Sequence, residues 1–237
     1  MNKIALITAN FGGIDLLKPL PEHAGIDCFY FSDSEVRGDT TNWTHLIKCN
    51  YPRTDFSPRL KSRYFKHQIH RLDEVSGYEY LVWADSTLQF RNLSFILNYA
   101  EILRSKDPRA RFLAVPHPDR ETVLQEYEFI HNSILEGNEY LRIRYAAEKM
   151  TEQMNYFYSK SWNVKARLWC GTFWMVENSD LYHRAWDDWW DQNLKWGLMD
   201  QLSLPVILEK WGIETQPLPV KLWDNEFFAY IQHDKFM

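Results

Sequence analysis

Apolar residues in this chain come in short runs that stop on polar or glycine-bearing segments. Lys3 to Ala9 is apolar and β-branched and runs into Asn10-Phe11-Gly12-Gly13, which predicts a strand whose backbone then turns sharply or approaches something closely. Ile26 to Phe31 repeats the pattern and ends on Ser32-Asp33-Ser34, and Trp43 to Cys49 predicts a third, shorter strand. The stretch Tyr78 to Phe90 is the centre of the pattern. Within it Leu81, Val82, Trp83 and Ala84 form a run of the length and type that suits an inner strand of a parallel sheet. Asp85 stands where that strand emerges, followed by the hydroxyls Ser86 and Thr87. Phe112 to Val115 and Arg167 to Glu177 read as further strands, the second with Gly171 placed to admit a close neighbour.

Between these runs the period changes to that of helices. Ser57-Pro58 supplies an N-cap hydroxyl and a proline for the first helical position. Behind it Arg59, Arg63, Lys66 and His70 fall on one stripe, while Phe65, Ile69 and Leu72 form the packing face. Asn92-Leu93-Ser94 predicts a cap for a helix from about Phe95 to Arg104. Glu121 to Tyr158 is helical in character with an interruption near Gly137, Ser179 caps a helix carrying Trp186, Trp189 and Trp190, and Asp200 has the chemistry of an N-cap for a helix up to Trp211.

The run over residues 81–84 suits an inner strand of a parallel sheet, as in open α/β folds. At 237 residues with 45% hydrophobic content the chain fits one large domain better than two small ones. It lacks an apolar run near the ~20 residues that cross a bilayer, and its start leads into a strand instead of a secretory signal, so a soluble, cytoplasmic protein is expected. The three cysteines, Cys28, Cys49 and Cys170, lack Cys-x-x-Cys spacing, which indicates neither a disulfide framework nor a zinc site and suits a reducing compartment. A formal charge of −5 argues against general nucleic-acid binding, which needs a wide basic surface. It does not exclude a local basic patch.

Such a patch is present. Between Arg53 and Arg71 there are six Lys/Arg and one acid, Asp55. Guanidinium groups suit phosphate geometry, so the helix after Ser57 reads either as an anion-binding helix beside the strand ends or as a solvated face. Asp85 likewise reads either as a ligand-site carboxylate, since open α/β sheets bind ligands beyond the carboxyl ends of their strands, or as the anchor of a tight turn. Pro116-His117-Pro118-Asp119-Arg120 fixes an extended loop that presents His117, Asp119 and Arg120. Neither a dinucleotide fingerprint nor a P-loop follows the first strand.

Six short blocks in fixed order carry a resemblance. They are Thr8 to Gly13, Arg59-Leu60-Lys61 through Lys66-His67, Tyr80 to Ser86, His117 to Arg120, Glu152-Gln153-Met154 before Tyr158, and Asp200-Gln201-Leu202-Ser203. In these the chain resembles small glycosyltransferase-like proteins of the GT-A superfamily, with members in plants, bacteria and large algal viruses. The resemblance implies a single GT-A-like (Rossmann-like) α/β domain with a mostly parallel central sheet flanked by helices, its donor-binding half over about residues 1–115 and its acceptor-side half over about 116–237. It implies a hexosyl- or deoxyhexosyltransferase that uses a nucleotide-sugar, a UDP-sugar foremost, and a glycan or glycoprotein acceptor.

On that resemblance the donor side comprises Thr8, Asn10, Phe11, Gly12 and Asp33, then Arg59, Arg63 and Lys66, then Asp85 and Ser86. The acceptor side comprises His117, Arg120, Gln201 and Trp189. Asp85 matches the first carboxylate of the Asp-x-Asp element that holds the donor ribose and a divalent cation, Mn2+ or Mg2+. Thr87 stands where the second carboxylate belongs, and a neutral hydroxyl is a poor substitute around a hard cation. The expected cation ligands are therefore Asp85, Thr87 and the later His233, with the basic helix an alternative source of neutralising charge. Proton acceptance and stabilisation of the oxocarbenium-like centre call for a carboxylate. Asp200 leads the candidates, followed by Asp119 and Glu177. The rival readings are a nucleotidyltransferase acting on sugar phosphates and a carbohydrate-binding module without catalysis.

Overall fold

The computed structural model describes residues 3–49, 53, 55–145 and 147–233. A seven-stranded sheet runs through the molecule in the order β3-β2-β1-β4-β7-β6-β8. Its strands are β1 (Ile4–Asn10), β2 (Ile26–Ser32), β3 (His45–Lys48), β4 (Tyr80–Ala84), β6 (Phe112–Pro116), β7 (Trp169–Glu177) and β8 (Thr215–Pro217). β5 (Leu88–Phe90) and β9 (Phe228–Tyr230) pair separately as a two-stranded antiparallel ribbon. The helices are α1 (Pro58–His67), α2 (Ser94–Arg104), α3 (Val123–Leu135), α4 (Glu139–Tyr145), α5 (Met150–Ser159), α6 (Asp180–Trp196) and α7 (Asp200–Lys210). The mostly parallel sheet between helices, in one α/β domain, is the fold expected from the sequence.

Alternation along the inner strands divides the core in two. Ala5, Ile7, Leu81, Trp83 and Phe112 pack on one face with α1, α6 and α7, while Ile4, Leu6, Tyr80, Val82 and Leu113 pack on the other with α2. Every residue of β1 and β4 is buried, which is why both strands read as continuous apolar runs. A third cluster joins α3 and α5 to α7 through Val123, Ile130, Phe157 and Leu202. The tryptophans of α6 belong to this interior: Trp186 and Trp189 keep 1% and 0% of their surface.

Two features depart from the simple pattern. β7 runs antiparallel to both β4 and β6, and its register against β6 jumps between Ala114, opposite Trp174, and Val115, opposite Cys170. Across that jump lies Gly171. The second departure is in α1. Ser57 caps it as expected, its hydroxyl accepting from the Leu60 N–H at 3.2 Å. However, the helix closes at His67 and tightens into a 3₁₀ turn over Ile69–Arg71. The change of pitch takes His70 off the stripe shared by Arg59, Arg63 and Lys66 and sets it against Asp187 of α6 at 3.1 Å.

The turn after β1 positions α1. Phe11 stacks on Phe65 of α1 with ring centroids 5.1 Å apart, and the Gly12 N–H donates to Asp33 at 2.9 Å, tying the ends of β1 and β2 together. Gly12 has φ +76°, and a Cβ there would lie 2.9 Å from the Pro58 Cβ. Both backbone conformation and space therefore require glycine. Gly12→Ala is expected to destabilise the protein by about 1–2 kcal/mol from the left-handed conformation alone, with displacement of the start of α1 adding to it. Equilibrium urea denaturation measures this, and a variant as stable as the parent would show that the turn is not strained.

Candidate active site

Beyond the carboxyl ends of β1 and β4 lies a cleft of about 660 Å³. Ala9 and Asn10 come to it from β1, Trp83, Asp85 and Ser86 from β4 and its continuation, Arg59, Ser62 and Arg63 from α1, and Tyr140, Ile143 and Arg144 from α4. Ile14, Asp15 and His233 complete the lining relevant here.

Its charges fall into two sets, with Glu139 of α4 a further carboxylate in the lining. The basic set is Arg59, Arg63 and Arg144. Arg59 donates to the Arg144 carbonyl at 3.0 Å and pairs with the buried Glu148 at 3.2 Å, so α1 and α4 are fastened together by one guanidinium. Burial and the neighbouring Arg63 push that guanidinium's pKa down. The second set is Asp85, Ser86, Asp15 and His233. Asp15 is buried, accepts from the Ser86 hydroxyl at 2.5 Å, and has both carboxylate oxygens 3.0 Å from His233 Nδ1. Ser86 is held further by Lys18, whose Nζ donates to its carbonyl at 3.0 Å.

Beneath both sets sits a buried ion cluster. Lys66 has no exposed surface; its Nζ donates to Asp200 Oδ2 and stands 3.4 Å from Asp85 Oδ1, which also accepts from Trp83 Nε1 at 2.7 Å. Arg63 reaches the same Asp200 oxygen at 2.5 Å. Gly171 makes the room: a Cβ there would fall 2.7 Å from Asp200 Oδ2 and 2.9 Å from Lys66 Nζ. The close neighbour expected at this glycine is thus the ion pair itself. Burial alone would raise the Asp200 carboxyl, but Arg63 and Lys66 hold it well below the usual carboxylate range.

The predicted residues divide accordingly. Asn10, Arg59, Arg63, Asp85, Ser86 and His233 line the cleft. Lys66 and Asp200 lie under it, and Asp200 is not the N-cap of α7: Met199 holds that position, and Asp200 begins the helix with its side chain turned to the two cations. Thr8 is buried and bonds the Ala84 carbonyl at 2.9 Å, joining β1 to β4, while Phe11 is core and Gly12 and Asp33 are engaged with each other. His117, Asp119 and Arg120 follow β6 and so reach the same sheet edge; Arg120 pairs with the buried Glu126, His117 is packed beside both, and Asp119 is exposed. Gln201 is half-buried in the first turn of α7.

Three expected positions fall elsewhere. Glu177 pairs with Arg111 and sits opposite Tyr80, the first residue of β4. Because β7 runs antiparallel, its last residue lies at the amino-end edge of the parallel strands, across the sheet from the cleft. Trp189 is core, its indole N–H donating to Ser203 at 3.0 Å. Thr87 is 2% exposed, and its carbonyl accepts from the Ile231 N–H at 2.8 Å. Sequence reasoning missed Asp15, Tyr140, Ile143, Arg144 and Glu148. The polar residue just past the glycine turn was a usable signal for Asp15; Arg142-Ile143-Arg144 offered only a short basic pair.

Among the described residues no three His, Cys, Asp or Glu side chains converge as a metal site. Asp85 and His233 do share the cleft, and one or two protein ligands are what a hard cation keeps when substrate phosphates and water supply the rest. That donor set suits a cation that also takes ligands from substrate phosphates.

No protein-family model matches the sequence, and no curated protein does. Among solved structures the chain is similar to mouse xyloside xylosyltransferase 1 in its apo form, at 12% identity and a TM-score of 0.48 over 92% of this chain and 85% of that one.

Two predictions rest on this electrostatics. Asp200→Asn leaves Lys66 and Arg63 facing an uncharged amide, so the variant should lose about 3–5 kcal/mol in urea denaturation; an unchanged midpoint would make the cluster energetically idle. The second concerns pH. Burial pushes His70 and His117 down to about 4 and His67 well below its usual value. The unfolded chain therefore binds protons from about pH 6.5 downward that the folded chain does not. Their contribution is complete above that pH and declines as pH falls, by about 1.4 kcal/mol per unit for each imidazole. Denaturation midpoints at pH 7.5, 6 and 5 should decrease in that order, and a flat profile would show that these rings titrate normally.

Proposed function

We propose that this chain is a glycosyltransferase that moves a sugar from a nucleoside-diphosphate sugar, with a UDP-sugar as the first candidate, to a hydroxyl of a glycan or glycoprotein. A hexosyl or deoxyhexosyl donor is the corresponding substrate class. The observation that carries the reading is the cleft itself: guanidiniums on two helices and a carboxylate at the end of a central strand share one cavity at the carboxyl edge of the sheet.

The chemistry follows from those groups. Departure of a diphosphate builds negative charge, which arginines already oriented by Asp200 and Glu148 are placed to stabilise at little reorganisation cost. Asp85, with its Oδ1 fixed by Trp83 and Lys66, is the donor-side carboxylate, available to a ribose hydroxyl. Asp85 and His233 are also the residues that would hold a Mn2+ or Mg2+ ion bound to the diphosphate, where such an ion would neutralise the leaving group. Asp200 serves as a positioning residue for Arg63, since a carboxylate held so far below the usual range is a weak proton acceptor. The proton acceptor falls to Asp119, the exposed carboxylate on the loop after β6 at the same edge.

Nucleotide and sugar panels in thermal unfolding test the assignment. UDP should stabilise the protein, uridine and free sugars should not, and a ligand at 100 times its Kd contributes about 2.7 kcal/mol. Response to free sugars alone would make the chain a carbohydrate-binding module, and response to nucleoside triphosphates with sugar phosphates a nucleotidyltransferase. Manganese should add stability only with UDP present, and Asp85→Asn should abolish that increment. A metal response unchanged in the variant would remove Asp85 from the cation's ligands.

A further inference from the structure

Arg144 differs from the other cleft arginines in having no counterion. Arg59 is paired with Glu148 and Arg63 with Asp200, whereas no carboxylate among the described residues pairs with Arg144. Its guanidinium is nevertheless fixed. Nε donates to the Tyr145 hydroxyl at 3.2 Å and Nη1 to the Tyr140 hydroxyl at 3.0 Å, and its carbon lies 5.7 and 5.9 Å from the centres of the same two rings. Among the described residues nothing accepts from Nη2.

Ordering a long side chain costs conformational entropy, and phenol oxygens and ring faces supply direction without neutralising the charge. Arg144 also shares the cleft with Arg59 and Arg63, so it adds repulsion to a wall whose other members are already compensated. A guanidinium held in place, half-buried, uncompensated and flanked by like charges is arranged for a ligand that brings the missing negative charge.

We propose that Arg144 belongs to an anion subsite in which guanidiniums from α1 and α4 together grip a phosphoryl group of the ligand. The nucleoside part of that ligand rests on the function proposed above; the anion part does not. A diphosphate, with charge on both phosphoryl groups, meets Arg144 and still leaves oxygens for Arg59 and Arg63, which a single carboxylate cannot do. Binding also has a mechanical consequence. α4 has no buried residue and is tied to α1 by the bond from Arg59 to the Arg144 carbonyl. An anion shared by the two helices adds a second tie.

Titration calorimetry with UDP, inorganic pyrophosphate and uridine, on the parent, Arg144→Gln and Arg144→Lys, tests the subsite. Arg144→Gln should weaken UDP and pyrophosphate by about tenfold or more and leave any uridine signal unchanged, with Arg144→Lys in between. Amide exchange over residues 139–145 should slow with pyrophosphate in the parent and not in Arg144→Gln. Parental affinity for both anions in a folded Arg144→Gln overturns the subsite while leaving the transferase reading intact. Arg144-dependent pyrophosphate binding without UDP binding overturns the transferase reading and leaves the subsite. A parent that binds neither anion overturns both.

Discussion

A lysine with no exposed surface is held between two carboxylates, and the site is built around that fact. An ammonium ion removed from water loses several kcal/mol of hydration, which only close and well-oriented negative charge offsets. Asp200 and Asp85 supply that charge from two different elements, α7 and the end of β4. The arrangement fixes their relative positions and, through Arg63, the position of the cleft's basic wall. Gly171 and the register jump in β7 are the backbone's side of the same constraint, since any side chain at 171 would enter the pair's space.

Much of the frame was legible because it depends on local periodicity. The apolar runs of β1 and β4, the Ser57-Pro58 start of α1 and the glycine turn after Asn10 are signalled by the residues that form them. Strand direction is not. Alternation looks the same whichever way a strand runs, so the antiparallel course of β7, and with it Glu177's place at the far edge, had no local sign. β5, β8 and β9 are three residues each, too short to stand out against loops.

The site was legible in part for a related reason. Arg59, Arg63 and Asp85 stand at helix and strand positions whose exposed side can be reasoned from spacing. Asp200 follows a loop at the start of a helix, which reads as a cap, and only the tertiary structure brings Lys66 to it across 134 positions of chain. Arg144 acquires its interest from what is missing near it, a carboxylate, and such an absence is a property of three dimensions. The tryptophan surplus had the opposite fate: Trp174, Trp186 and Trp189 are fully enclosed and speak for packing.

The pair between Asp15 and His233 joins positions 218 apart. A chain made from its amino end completes β1 and the loop bearing Asp15 long before Ile231 and His233 exist. Until then Asp15, buried in the finished fold, lacks its imidazole partner, and the rim of the cleft that His233 provides is missing. The pairing of β9 with β5 anchors the segment just before His233 and so brings the imidazole back to the first part of the chain. The sheet itself waits for β8 (Thr215–Pro217), so its far edge and the His233 rim of the cleft are both completed only in the last part of the chain.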